Sequence, residues 1–265
     1  MPIAAPRNLE AKWYTNTAIF DAERRTIFSN SWLFCTNLLR LKESKSLELD
    51  VSGHHLTLTI NEDQEGHEKV SAVCGDGCSL TLSITSQLFV FVNFCDKPTP
   101  FSEFFKGLEA ELSSADFNPS EWRYDSEFFT AAKINWKSYM DNYAECSLSG
   151  SKDGLGTAEG LWVQLYPNAA ISIYSDAISC MIVDPRSATT SKLQFQVFFR
   201  STASEATRTA FYSALHAVVD EDLELSEGAQ RNYELGIWAT GALHPVRENG
   251  VIHFQSRVRD DVGLA

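Results

Sequence analysis

At 265 residues, 44% hydrophobic and 22% charged, the chain is long enough for one large domain or two modest ones. A net charge of −13 lacks the basic footprint that nucleic acid requires and favours a small or uncharged ligand. No run reaches the ~20 apolar residues of a membrane helix, and Met1–Arg7 lacks the apolar core of a secretory signal. Six cysteines at irregular spacing (35, 74, 78, 95, 146 and 180) read as reduced thiols, so the expected location is cytoplasmic.

In chain order, Asp21–Phe28 is predicted as an amphipathic helix, with acids early, arginines late and Ile19, Phe20, Ile27 and Phe28 apolar. Residues 33 to 100 read as all-β. Alternating strands are expected at Leu47–Val51, His55–Ile60, Val70–Val73, Leu80–Ile84 and Leu88–Asn93, with a turn at Gly53 and a polar loop from Asn61. Cys74 and Cys78 have a spacing that zinc permits. No second Cys or His pair follows at a supporting distance, and His67 sits in a charged loop, so no metal is expected. Pro98-Thr99-Pro100 ends the sheet, and Phe101–Leu112 is predicted as an amphipathic helix. A strand over Arg123–Ile134 follows. Further strands lie within Leu161–Tyr174, Ile178–Val183 and Leu193–Arg200, and two helical runs cover Ser204–Val218 and Asp220–Tyr233.

Between the strand ending at Ile134 and these later strands lies Asn135-Trp136-Lys137-Ser138-Tyr139-Met140-Asp141-Asn142-Tyr143-Ala144-Glu145-Cys146. Asn135, Tyr139, Asn142, Tyr143 and Cys146 recur at three- and four-residue steps, so several share a helix face. Trp136 reads as core packing. Asn142 and Tyr143 are able to donate hydrogen bonds to a carbonyl in an apolar cavity; alternatively Asn142 satisfies backbone at a helix–sheet junction. Asp222, in the run Asp220-Glu221-Asp222-Leu223-Glu224, reads either as a helix-start acid favoured by the macrodipole or as a pocket acid. Asn168, Tyr174, Phe198, Tyr233 and Trp238 are further candidate wall residues, each also readable as core.

This central stretch resembles the catalytic-domain signature of the Rieske non-haem iron oxygenases, Asn-Trp-Lys-x4-Asn-(Phe/Tyr)-x-Glu-Cys. The resemblance extends to Trp13-Tyr14, Ile27-Phe28 and Ser31-Trp32, to Tyr166-Pro167-Asn168, and to the closing Glu248-x-Gly250-x-x-His253-Phe254. It implies an α+β fold in which an antiparallel helix-grip (START-like) pocket domain, 116–265, stands behind a β-rich Rieske-domain remnant, 1–115. Leu148 and Asp153 fall where the family has its two iron-binding histidines, and Asp222 falls on the third ligand. Cys74-Gly75-Asp76-Gly77-Cys78 stands where the first cluster-binding loop is expected, without a histidine, and no second loop follows. Glu145 takes the acidic position that relays electrons between subunits. The short span from the signature to Gly160 implies a reduced lid or one supplied by a partner.

The resulting expectation is a degenerate member that needs no metal or other cofactor. It would act as an intramolecular cyclase or isomerase, of [4+2] type, on an apolar small molecule of specialised metabolism. Asn142, Tyr143 and Asp222 are the expected catalytic residues. Tyr139, Cys146, Leu148, Asn168, Tyr174, Phe198, Tyr233 and Trp238 are expected to line the substrate. The alternatives are a non-catalytic carrier of an apolar metabolite, a partner subunit of a complete oxygenase, and an oxygenase with an altered iron site. Homo-oligomerisation is left open.

Overall fold

The computed structural model describes residues 6–63, 65, 67–114, 117–146 and 160–263. Mixed helices and antiparallel sheets build it. Helices α1 (Lys12–Thr15) and α2 (Thr17–Glu23) open the chain, and α2 runs on into a π-helical turn over Arg24–Phe28. Asn16 caps α2, its side chain accepting from the amides of Ala18 and Ile19.

Two three-stranded antiparallel sheets follow. One orders β1 (Leu33–Asn37), β6 (Phe89–Asn93) and β5 (Thr81–Ile84) as β1-β6-β5; the other orders β2 (Ser46–Val51), β3 (His54–Glu62) and β4 (Glu68–Cys74) as β2-β3-β4. The predicted strands are all present. The stretch read as all-β also contains helix α3 (Leu38–Ser44), capped by the Asn37 side chain, which accepts from the Leu39 amide. The predicted helix over Phe101–Leu112 is broken into α4 (Phe101–Phe104) and α5 (Leu108–Leu112). Gly107 takes φ +91°, a left-handed conformation that a continuous helix does not contain.

The third sheet has five strands in the order β7-β11-β10-β9-β8: β7 (Trp122–Ala132), β8 (Leu161–Leu165), β9 (Ala169–Ile173), β10 (Ala177–Ser187) and β11 (Thr190–Arg200). Helix α6 (Trp136–Cys146) follows β7. Strand β10 is buried continuously from Ala177 to Pro185, as expected of a central strand covered on both faces. One face carries Tyr174, Ala177, Met181, Phe195, Val197 and Phe199. The other carries Ile173, Ile178, Cys180, Ile182 and Phe198, packed with Trp32, Phe34 and Trp122.

The two helical runs predicted around Asp220 form one helix, α7 (Glu205–Glu234), capped by Ser204, whose hydroxyl accepts from the Thr207 amide. Its first half lies on the five-stranded sheet: Phe211 packs edge-on to Tyr174 and Phe199, and Tyr212 accepts from or donates to Ser126 and donates to Asp125 (2.6 Å). Helix α8 (Asn249–Val262) closes the chain. No described helix is long and apolar enough to cross a membrane.

Candidate functional site

The first residues of the signature stretch hold the molecule together. The Asn135 amide donates to Gln230 of α7 (3.0 Å), and its side-chain amide donates to the Ala188 carbonyl (2.7 Å). Trp136, fully buried, donates its indole N–H to Glu23 (2.8 Å), and Lys137 forms an ion pair with the same carboxylate at 2.6 Å. Both partners of that pair are completely buried. Desolvation lowers the Lys137 pKa, against the pull of Glu23. The Lys137 ammonium also lies 5.4 Å from the Tyr14 ring centre. One turn on, Asp141 accepts from the Tyr14 hydroxyl (2.6 Å) and from the Gln255 amide (3.0 Å), yet burial pushes its carboxyl up to about 7.

The next turn of α6 meets α7 at Asp222. Burial raises the Asp222 pKa, the Asn142 amide and the Tyr139 hydroxyl lower it by hydrogen bonding, and the neighbouring Glu221 charge raises it further. Desolvation outweighs the two hydrogen bonds, so the carboxyl holds its proton more tightly than a free aspartic acid. The Asn142 contact is loose: its Nδ2 is buried without a well-aligned acceptor. Ser138, four residues before Asn142 on α6, and Ser226, four residues after Asp222 on α7, also bury hydroxyls without a hydrogen-bond partner. Each pair shares a helix face. Tyr143 points to the sheet instead, its hydroxyl 3.3 Å from the Ser172 hydroxyl on β9.

The structure thus brings Tyr139, Asn142 and Asp222 together and sets Tyr143 beside them on the same helix. Asp222 lies in the middle of α7, so the helix-start reading is corrected: the macrodipole acts only within the terminal turns and gives this carboxylate no help. Tyr174 stands at the end of β9, where it accepts from the Trp162 indole (3.3 Å) and borders a small hollow of about 190 Å³ with Ala177, Ala210, Phe211 and Ala214. Phe211 is eleven residues from Asp222, about 16 Å along the helix, so hollow and carboxyl are separate features. Tyr233 stacks on Tyr14 (4.6 Å between ring centres) and touches Trp238 (5.2 Å), next to the Asp141 network. Asn168, after the cis Tyr166–Pro167 bond, spends its amide on Ser52 and on the Val183 carbonyl. Phe198 falls on the opposite sheet face, 1% exposed and against Tyr124, with the sheet between it and α7. Cys146 ends α6, and Leu148 and Asp153 lie outside the described residues. Glu145 is exposed; burial of its inner side and the like charge of Glu248 raise its pKa. The residues missed from the sequence are Ser138 and Ser226, which spacing alone would have added to the faces of Asn142 and Asp222.

The family model described as "Ring hydroxylating alpha subunit (catalytic domain)" matches residues 154–263. The quaternary ammonium Rieske monooxygenase CntA, solved with an inhibitor, superposes with a TM-score of 0.79 at 15% identity, covering 97% of this chain and 96% of that one. The chain has the fold of these oxygenases, and its residues 154–263 match their catalytic-domain model. Naphthalene 1,2-dioxygenase with indole gives a TM-score of 0.73 at 10% identity, covering 97% and 92%. The same enzyme from Rhodococcus sp. gives 0.72 at 9%, covering 96% and 94%. No curated protein matches the chain in sequence.

The iron chemistry of such oxygenases makes two demands on side chains, and the described residues meet neither. A mononuclear site of this kind takes two imidazoles and a carboxylate. The groups around Asp222 are an amide, a phenol and a second carboxylate, and the sequence has no histidine between 68 and 215. His216 is turned to Phe128 and Tyr212. A Rieske cluster takes two thiolates and two imidazoles. Among the described residues, the group of His, Cys, Asp and Glu close enough to share an ion is Cys74, Asp76 and Cys78, without an imidazole.

Proposed function

We propose that the protein is a metal-independent small-molecule enzyme on a Rieske oxygenase-like frame, whose working groups are Tyr139, Asn142 and Asp222. The reading rests on one observation: Asn142 Nδ2 and the Ser138 and Ser226 hydroxyls are buried donors without a well-aligned acceptor, on the α6 and α7 faces that carry Asn142 and Asp222, and the Asp222 carboxyl holds its proton more tightly than a free one. Buried polar atoms in native proteins are nearly always satisfied, so a cluster of unsatisfied ones is best explained by a ligand that accepts from them. A carbonyl oxygen in an otherwise apolar molecule fits that demand. A helix-grip reading is supported by the first half of α7 lying on the five-stranded sheet, with Tyr143 and Tyr174 on the sheet face that it covers.

An intramolecular [4+2] cyclisation, or a related isomerisation, suits such groups. Two σ bonds form as two π bonds are consumed within one molecule, and no electron donor or acceptor is needed. Hydrogen bonds from Asn142 and from the protonated form of Asp222 to a conjugated carbonyl withdraw charge from the reacting double bond. Holding both ends of the substrate in contact supplies the remainder. A thousandfold acceleration asks for only about 4 kcal/mol.

The test is to incubate chelator-treated protein with linear polyenes carrying a conjugated carbonyl and to follow cyclised product by mass spectrometry. Turnover above the buffer rate, lowered about a hundredfold by Asn142→Ala, is expected. Product forming no faster than in buffer across the panel would sink the reading, and tight binding without product would make the protein a carrier.

A further inference from the structure

A second constellation lies on the turn that closes β4, on elements that contribute nothing to the Asp222 group. From Cys74 the chain turns through Gly75-Asp76-Gly77 to Cys78. The Cys74 amide donates to the Cys78 carbonyl (2.9 Å), and the Gly77 amide to the Cys74 carbonyl (2.8 Å). Gly77 takes φ +88°, which folds the turn back on itself. The Asp76 carboxylate stands between the two thiols: it accepts from the Cys74 thiol (2.5 Å) and from the Cys78 amide (3.1 Å). The two sulfurs and a carboxylate oxygen all lie within 4.8 Å of one another, and neither cysteine is in a disulfide.

The surroundings suit an ion as well. The turn borders a cavity of about 620 Å³ whose wall also holds His54, His55 and Cys95. His55 adjoins the turn: its carbonyl accepts from the Gly75 amide (2.9 Å), and a Cβ placed on Gly75 would stand 3.6 Å from its Cδ2. The spacing of the cysteines alone offered two ligands, and the fold adds Asp76.

We propose that Cys74, Asp76 and Cys78 bind one thiophilic divalent cation of the zinc class, with the fourth position taken by water. Zinc takes sulfur at about 2.3 Å and carboxylate oxygen at about 2.0–2.2 Å. Tetrahedral ligand atoms are then roughly 3.5–3.8 Å apart, which the exposed turn reaches by closing slightly. The two thiols lose their protons on binding. A two-iron cluster is a different site, needing four side-chain ligands that this turn does not supply.

The experiment uses the full chain, reduced and stripped with chelator, titrated with cobalt(II) and then zinc. One equivalent of cobalt is expected, with thiolate-to-cobalt charge-transfer absorption that zinc abolishes. Cys78→Ser should remove that absorption and weaken uptake at least tenfold, and Asp76→Asn should weaken it less. Circular dichroism of each variant, expected to match the parent, separates lost ligation from lost folding. Three results would overturn the proposal: no charge-transfer absorption in the parent, equal uptake by the Cys74→Ser/Cys78→Ser variant, or iron bound together with acid-labile sulfide.

Discussion

Asp222 sits where its own helix offers it nothing, and the consequence is measurable. Its folded pKa is raised, so the folded chain binds this proton more tightly than the unfolded one, and stability declines as pH rises from the unfolded value near 3.9 through the folded one. Asp222→Asn should therefore stabilise the protein at pH 8 and leave it nearly unchanged at pH 4, read from denaturant midpoints. In the proposed reaction the same variant lacks the acidic proton, so the rate should fall and its loss at high pH should disappear. Asp141 is a second case with a defined window. Its carboxyl is pushed up to about 7, so stability should decline between about pH 4 and 7, with a slope of at most about 1.4 kcal/mol per pH unit. Asp141→Asn should flatten that slope; an unchanged pH profile would show that another group carries it. At this scale the sequence was informative where spacing along one helix decides the geometry, as for Tyr139 and Asn142. It was not informative for Phe198, because side chains alternate across a strand. The side on which a residue lies depends on the whole sheet, here with a register shift between Val197 and Phe198.

Among the elements, α6 carries the most consequence. Asn135, just before it, joins α7 through Gln230; its first turn joins α2 through Glu23, and Asp141 in the next turn joins both α1 and α8. The Glu23–Lys137 pair has no water to fall back on, so removing either partner strands a charge. Lys137→Met alone is expected to cost about 3–5 kcal/mol. Pairing it with Glu23→Leu should recover most of that loss, a double-mutant cycle by chemical denaturation being the check; equal losses in the single and double variants would show that packing, not charge, is what matters. The family signature was legible in the sequence, but this half of its work was not. Asn-Trp-Lys reads locally as a strand ending in a helix. The partners that give it meaning lie 95 residues away at Gln230 and 114 away at Glu23. The single long α7 was hidden for a similar reason: the acidic run after Val219 imitates a helix start, and only packing of both halves shows that no break occurs.

For the whole molecule, the five-stranded sheet separates two cores, and they predict different phenotypes. Phe198→Ala opens a cavity in the core shared with Trp32, Phe34 and Trp122 and should cost about 3–5 kcal/mol. It should leave ligand binding by the folded fraction intact, since the sheet stands between it and α7. Altered ligand selectivity at full occupancy of the folded state would contradict that separation. Across the expected boundary between 1–115 and 116–265, α1 and α2 pack on α6, α7 and α8. A chain starting at 116 is expected to retain helical far-ultraviolet dichroism while losing its near-ultraviolet signal, because Trp136, Lys137 and Asp141 would lack their partners.

Those clasps also impose an order on the protein's making. The Leu9 amide is satisfied by Gln255, the Arg7 carbonyl by Arg259, and the Tyr14 carbonyl by Gln230, so these residues are completed by others more than 200 positions further along. The ribosome delivers the opening helices some 240 residues before Gln255 exists to receive them. Until then Trp13, Tyr14 and Phe20 have nowhere to be buried, and the nascent chain carries them exposed. Lesions in α8 should thus be felt first in α1 and α2, as protease cuts among those helices.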